Sequence, residues 1–492
     1  MIPRYASPPI VETWSPPNKL LWWQETELAV IEARVKLGQV EEKVYAAILK
    51  LLRDNKIDID WWLERDKEVR HDLNAFLDER LRFLPANLQQ YFHDGLTSYD
   101  TEEPAFVKMI WDSIKIFEEV LNRLKITLID MARHYRHTLM IGRTHGQEAE
   151  LQSFGKRCLT WLVAIREGTS SLTMVKQKLK YSKLSGAIGN YRGVKPAVEA
   201  KALDILGLLP FYGATQIMPR ELYAPIAQAV CQIVLTLDKI ATDIRLGARS
   251  GRPIYQEPFG KKQKGSSAMP HKKNTILCEQ IEGMARMAKG YLFMIIDNIK
   301  TWEERAIEQS CVERVAWPDL FHVAVHSANT MLKVLQGLVV YPDNMLLEII
   351  DSCGCYAAGE VKEFLRHHGF ATEDAYRIVQ LAAFNAFKPN TWSKKIREEL
   401  YTSLHEASSK FYNFSYTRPQ INPISIQDII FDQKLVVSDQ LDASREVVAK
   451  WNDSLRQLFS DRQLIQKWCE IFTPEYLLEG EATLYKEILG DD

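Results

Sequence analysis

Four polar clusters interrupt an otherwise apolar chain of 492 residues, and each holds side chains able to do chemistry. The first is Gly265-Ser266-Ser267-Ala268-Met269-Pro270-His271-Lys272-Lys273-Asn274. A Gly-Ser-Ser run opening toward a helix offers backbone N–H groups and hydroxyls to an anion, although the GxxxxGK(S/T) spacing of a phosphate-cradling loop is absent. The same composition also suits a plain solvated loop. The second cluster, Gly142-Arg143-Thr144-His145-Gly146-Gln147, sets His145 at the expected end of a long helix, where an imidazole is either an acid/base group or a structural one. The third joins Arg70-His71-Asp72 to His93 and to Thr97-Ser98-Tyr99-Asp100, whose short polar side chains serve equally as caps for a helix after Pro104. The fourth is Arg305, Ser310 and Arg314; positions 310 and 314 share a helix face, which suits a phosphate as well as an ordinary solvated surface. Spacing alone stops at candidate anion and acid/base sites and names no reaction.

The elements that must position these clusters read as helices. From Ile110 the apolar positions run Ile114, Phe117, Leu121, Leu124, Leu128 and Met131, and from Leu222 they run Ile226, Val230, Ile233, Leu237, Ile240 and Ile244. Steps of three and four put one apolar stripe on a helix, and no convincing period-two run predicts a strand. Further long helices are expected over Lys156–Lys183, over Ile276–Trp302 and after Pro318. With only 23 Gly and 20 Pro, the chain has few breakers, so the fold class is all-α, built on a long central bundle. Stripes this wide predict that several chains associate. The proline-rich residues 1–20 read as an extended arm, 248–275 as the longest loop, 341–356 as shorter helices and 412–425 as a loop. Three domains follow: 1–103 with the arm, 104–355 with the central bundle and the Gly-Ser-Ser loop, and 356–492.

Composition excludes several classes. Hydrophobic residues make up 46% and charged residues 26%, which excludes disorder for the bulk of the chain. With 62 basic against 64 acidic side chains the net charge is −2, so a general nucleic-acid binder is not expected. No stretch approaches the roughly 18–20 apolar residues of a membrane span, and Met1-Ile2-Pro3-Arg4-Tyr5 lacks the apolar core of a secretory signal. The seven cysteines are an odd number without zinc-site spacing, so buried free thiols, no metal and a cytoplasmic location are expected.

The 265–274 loop resembles the GSSxMPxKxN signature of the fumarase/aspartase superfamily, and within it the chain is most similar to the adenylosuccinate lyase family. Supporting matches are Arg4-Tyr5 with Trp14-Ser15 and Lys19, Arg70-His71-Asp72, His93-x-Gly95-x-Thr97-Ser98-x-Asp100, Thr144-His145-Gly146-Gln147, Ser185-Gly186-Ala187-Ile188-Gly189-Asn190-Tyr191, Glu257-Pro258-Phe259-Gly260 and Val312-Glu313-Arg314. The resemblance implies three helical domains, a homotetramer and active sites each shared by three chains. It implies elimination of fumarate from adenylosuccinate, leaving AMP, and from the succinylated carboxamide ribotide, with no cofactor. By the same resemblance Ser266 is the base and His145 the acid, Lys272 steadies the serine oxyanion, and His71 lies on the leaving-group side. Thr97, Ser98, Lys272 and Asn274 match carboxylate contacts; Arg4, Tyr5, Arg305, Ser310 and Arg314 match phosphate contacts. Gln216 meets the succinyl or base portion, Glu279 holds the histidine pair, and Arg70 and Asp72 belong with His71.

The chain departs from the family pattern at Glu148 and Leu151, where prolines are common, at Thr275 after the signature, and at Glu303 and Ala306 beside Arg305. The alternatives are another fumarate-releasing lyase, such as one acting on argininosuccinate, or a non-catalytic homologue.

Overall fold

A computed structural model describes residues 1–386 and 425–491. Among them, six helices of 21 residues or more dominate: α1 (Pro16–Lys36), α2 (Ser98–His134), α3 (Phe154–Val175), α4 (Ala224–Gly247), α5 (Ile276–Asp297) and α6 (Ile307–Gln336). At 1.5 Å per residue the 37 residues of α2 span about 55 Å. The fold is all-α, and α4, α5 and α6 pack side by side. The predicted stripes are the buried faces: Ile114, Phe117, Leu121, Leu124 and Leu128 on α2, and Ile226, Val230, Ile233, Leu237, Ile240 and Ile244 on α4, are all at most 1% exposed. The segment Arg220–Gly247 is, against expectation, long and apolar enough to match a membrane span, but most of its apolar side chains are buried in the core.

Two compact units divide the chain. One comprises Met1–Leu128, Trp161–Arg249 and Tyr255–Val339; the other comprises Ile129–Thr160, Ser250–Ile254 and Val340–Asp492. In the first, Glu103, Arg220 and Glu313 form a buried charge cluster. Arg220 meets Glu103 at 3.0 Å and Glu313 at 2.9 Å, and the Tyr223 hydroxyl donates to Glu103 at 2.7 Å. Removing one partner of such a group leaves an uncompensated buried charge, at a cost of about 3–5 kcal/mol. In the second unit an apolar core gathers Val361, Leu365, Ile378, Ile430, Leu455 and Trp468.

Several boundaries differ from the sequence reading. Helix α2 begins at Ser98 and runs through Pro104, and α6 begins at Ile307 and runs through Pro318. An interior proline costs about 3 kcal/mol; buried Trp317, Leu320 and Phe321 offset it in α6. Helix α3 stops at Val175 and continues as a 3-10 turn to Lys180, and α5 stops at Asp297, where the Asn298 side chain reaches the Gln309 carbonyl. The arm is not extended: Pro8–Thr13 is helical, and Pro16 and Pro17 open α1 behind the Ser15 cap. Two short strands, β1 (Leu139–Thr144) and β2 (Gln147–Ser153), pair as an antiparallel hairpin where a helix end was expected. The expected 412–425 loop lies outside the described residues, except for Ser425.

Candidate active site

A cavity of about 550 Å³ lies in the first unit, lined by Met1, Val11 and Trp14 of the N-terminal arm, by residues of α1, α2 and α6, and by Asp72. Three predicted residues, Asp72, Ser310 and Arg314, line it beside Lys19, Tyr99 and Glu102. One helical turn separates Ser310 from Arg314, so both face the cavity. Asp72 lies between Arg314 at 3.0 Å and Lys19 at 3.4 Å. Burial alone would raise its carboxyl, but the charges of Lys19 and Arg314 hold it below the ordinary range. Burial and the Asp72 charge push Glu102 up to about 7, against the pull of Arg314, Arg305 and Lys19. Arg314 and Lys19 are thus held on Asp72, with Glu102 beside them.

Arg305 and Gln216, both predicted, meet each other: the Arg305 Nη1 donates to Gln216 Oε1 at 2.9 Å, and the guanidinium lies 4.2 Å over the Tyr99 ring. Its buried Nε has no protein partner among the described residues. Glu303, the acidic departure beside Arg305, is exposed. Arg4 is exposed, and Tyr5 packs edge-on against His326 of α6, while Ser7 N–H donates to His322 Nδ1 at 3.0 Å. His71 caps the helix Asp72–Leu81, its Nδ1 accepting from Asn74 N–H at 3.3 Å, and Arg70 beside it is exposed with φ 51°.

The signature loop stands apart from this cavity, whose lining includes none of its residues. Ser266 Oγ accepts the backbone N–H groups of Ala268 at 3.3 Å and Met269 at 3.0 Å. Two such donors are what an ionised serine needs. The Asn274 amide closes the loop on the Gly265 carbonyl at 2.9 Å, and a side chain at Gly265 would collide with the Lys272 carbonyl. Lys272 is exposed, and Glu279 faces Arg245 at 3.5 Å. Thr275 makes no side-chain cap for α5. Buried Glu257 does so instead, accepting from Leu277 and Cys278 N–H at 3.1 Å. Its carboxylate favours the helix N-terminus and fixes where the loop ends.

His145 belongs to the second unit and is exposed at the tip of the β1–β2 hairpin. His145 and Gly146 have φ 53° and 77°, the two positive values of a two-residue hairpin turn. Non-glycine residues seldom hold such angles, and strain of this kind gathers at functional sites. Arg70, His93, His145 and Glu303 are four of the seven described non-glycine residues with positive φ. The departures at 148 and 151 build the hairpin: Glu148 pairs with Arg143 at 3.2 Å, and Leu151 packs with Ile141 and Ile349.

Sequence reasoning missed the groups that hold these residues. Buried Glu27 binds the His93 ring at 2.7 Å and the Thr101 hydroxyl at 2.6 Å. Burial would lower the His93 imidazole, but Glu27 and Asp100 raise it. Glu257 stood in a quoted motif without a role, and Glu102 and Lys183 carried no signal beyond their position near motifs. Among the described residues no group of three or more His, Cys, Asp or Glu could hold a metal ion.

Residues 10–290, more than half of the chain, match the lyase family model. The chain is 35% identical over 387 residues to the adenylosuccinate lyase of Synechocystis sp., covering 79% of this chain and 89% of the relative. It is 35% identical over 396 residues to that of Thermotoga maritima, covering 80% and 90%. Its fold is like that of a fumarate lyase from Mesorhizobium sp. BNC1, with TM-score 0.76 and 21% identity over 100% of both chains. It is also like a β-carboxy-cis,cis-muconate cycloisomerase from Acinetobacter calcoaceticus, with TM-score 0.75 and 20% identity over 99% of this chain and 98% of that one. The family match and the relatives' identity over most of both chains agree with the signature loop: the chain belongs to the adenylosuccinate lyase family of the fumarase/aspartase superfamily.

Proposed function

We propose that this carbon–nitrogen lyase eliminates fumarate from adenylosuccinate to give AMP, and from the succinylated aminoimidazole carboxamide ribotide of the same biosynthesis. The observation that carries the nucleotide reading is the cavity in which Ser310 and Arg314 share one face of α6, with Lys19 opposite. Arg305, Ser310, Arg314, Arg4 and Tyr5 take the phosphate; Thr97, Ser98, Lys272 and Asn274 take the carboxylates; Gln216 meets the succinyl or base portion. Ser266, ionised and steadied by the two loop N–H groups and Lys272, removes the proton from the succinyl carbon beside a carboxylate. The electron pair forms the new C=C bond, the C–N bond breaks, and His145 gives its proton to the departing nitrogen. His71 lies on that leaving-group side with Arg70 and Asp72, and Glu279 holds the histidines. No step calls for a metal or an organic cofactor.

The site is completed by association. His145 is exposed, and so are Leu246 of α4, Phe293 and Met294 of α5 and Val315 of α6. Apolar side chains on long helices support a homotetramer with sites shared among three chains. Helical domains at 1–103, 104–355 and 356–492 and a cytoplasmic location belong to the same reading. Fumarate release measured with adenylosuccinate and with argininosuccinate separates the alternatives. Turnover of the first substrate alone is expected; turnover of the second alone, or of neither, contradicts the proposal.

A further inference from the structure

The Lys183 ammonium is fully buried, as is the Asp100 carboxylate it meets at 2.6 Å. An ammonium has three N–H donors, and here there are three acceptors: Asp100 Oδ1, the Gly186 carbonyl at 3.1 Å and the Gln216 carbonyl at 2.9 Å. Asp100 also receives two backbone donors, Thr97 N–H on Oδ2 at 2.9 Å and Gly186 N–H on Oδ1 at 3.2 Å. One ion pair therefore ties together three segments distant in sequence: the turn bearing Thr97 and Ser98, the loop at 183–193, and the run bearing Gln216. The first two also touch at Gly95 and Gly193, where a side chain on either residue would strike the other's carbonyl. Desolvating such a pair offsets most of its attraction, so its contribution to stability is small. Its geometric effect is large, because every bond ends on backbone or charge that is itself fixed.

We infer that Lys183 is a positioning residue for the elimination, its ammonium setting the spacing between the Thr97 and Ser98 hydroxyls and Gln216, and so the shape of the pocket for the dicarboxylate end of the substrate. This rests on the reading of those three residues as substrate contacts. The test uses the full-length protein with Asp100→Asn and Lys183→Met together, which leaves no unpaired buried charge. Lys183→Arg alone keeps the charge but cannot direct three donors from one nitrogen. In either folded variant, KM for adenylosuccinate and the inhibition constant of fumarate are expected to rise at least tenfold, with kcat changed less. The inhibition constant of AMP, which lacks the succinyl group, rises by much less than that of fumarate, because Ser310 and Arg314 are held by α6 and only Arg305 is tied to Gln216. Fumarate inhibition unchanged in the folded variants, or AMP and fumarate affinity lost in parallel, overturns the role of Lys183 alone. Wild-type protein that releases no fumarate overturns the functional reading, and this inference with it.

Discussion

Asp72 is gripped by Arg314 and Lys19 from two different elements, whereas Ser266 takes its hydrogen bonds from two N–H groups of its own loop. The groups proposed for the nucleotide are thus held within the first unit before substrate arrives; of those proposed for proton transfer, Lys272 is exposed on its loop and His145 on its hairpin. Long basic side chains lose rotamer entropy when they close on a phosphate, and holding them beforehand with Asp72 removes much of that cost. A base and an acid have a different need. They must reach opposite faces of one carbon–nitrogen bond, and a loop and a hairpin tip open to other chains can do so.

The contrast breaks most sharply at Ser266. Ser266→Ala should lower kcat by about 10²–10⁴-fold, the usual worth of a general base, while AMP binding measured by calorimetry stays at the wild-type value. At the other end, Arg314→Ala should do the opposite. It raises KM for adenylosuccinate by about 10- to 150-fold, from about 1.5–3 kcal/mol for a charged hydrogen bond, and kcat changes little. If kcat collapses and KM does not, the assignment of Arg314 to the phosphate is wrong.

The smallest effect sharpens the electrostatics of the cavity. Glu102 is raised from 4.5 to about 7 by burial and by Asp72. Between those values the folded protein holds a proton that the unfolded chain releases, so stability falls as pH rises through that window. Glu102→Gln should flatten this part of the Tm–pH profile. An unchanged slope would show that Glu102 stays ionised.

How legible the molecule is in its sequence also differs between regions. The stripes of α2 and α4 can be read because steps of three and four over six turns have one physical meaning, and Ser310 and Arg314 share a face for the same reason. The hairpin around His145 cannot. Its turn uses His-Gly where Asn-Gly would be the usual signal, its second strand is polar, and a register shift between Ile141 and Arg143 blurs the alternation. Pro104 and Pro318 mislead, because packing overrides a local breaker. Lys183, Glu257 and Glu27 act through partners 20 to 83 positions away in sequence, the Gly186 carbonyl near Lys183 apart, and no local pattern announces such pairings.

The most direct test of a divided site is complementation between two silent variants. Ser266→Ala and His145→Ala chains are purified separately, each confirmed inactive, then co-expressed and assayed for fumarate release from adenylosuccinate. Sites shared among chains predict turnover in the mixture, since some sites draw an intact Ser266 from one chain and an intact His145 from another. A mixed tetramer, established by mass, that remains as silent as its parents would contradict the account.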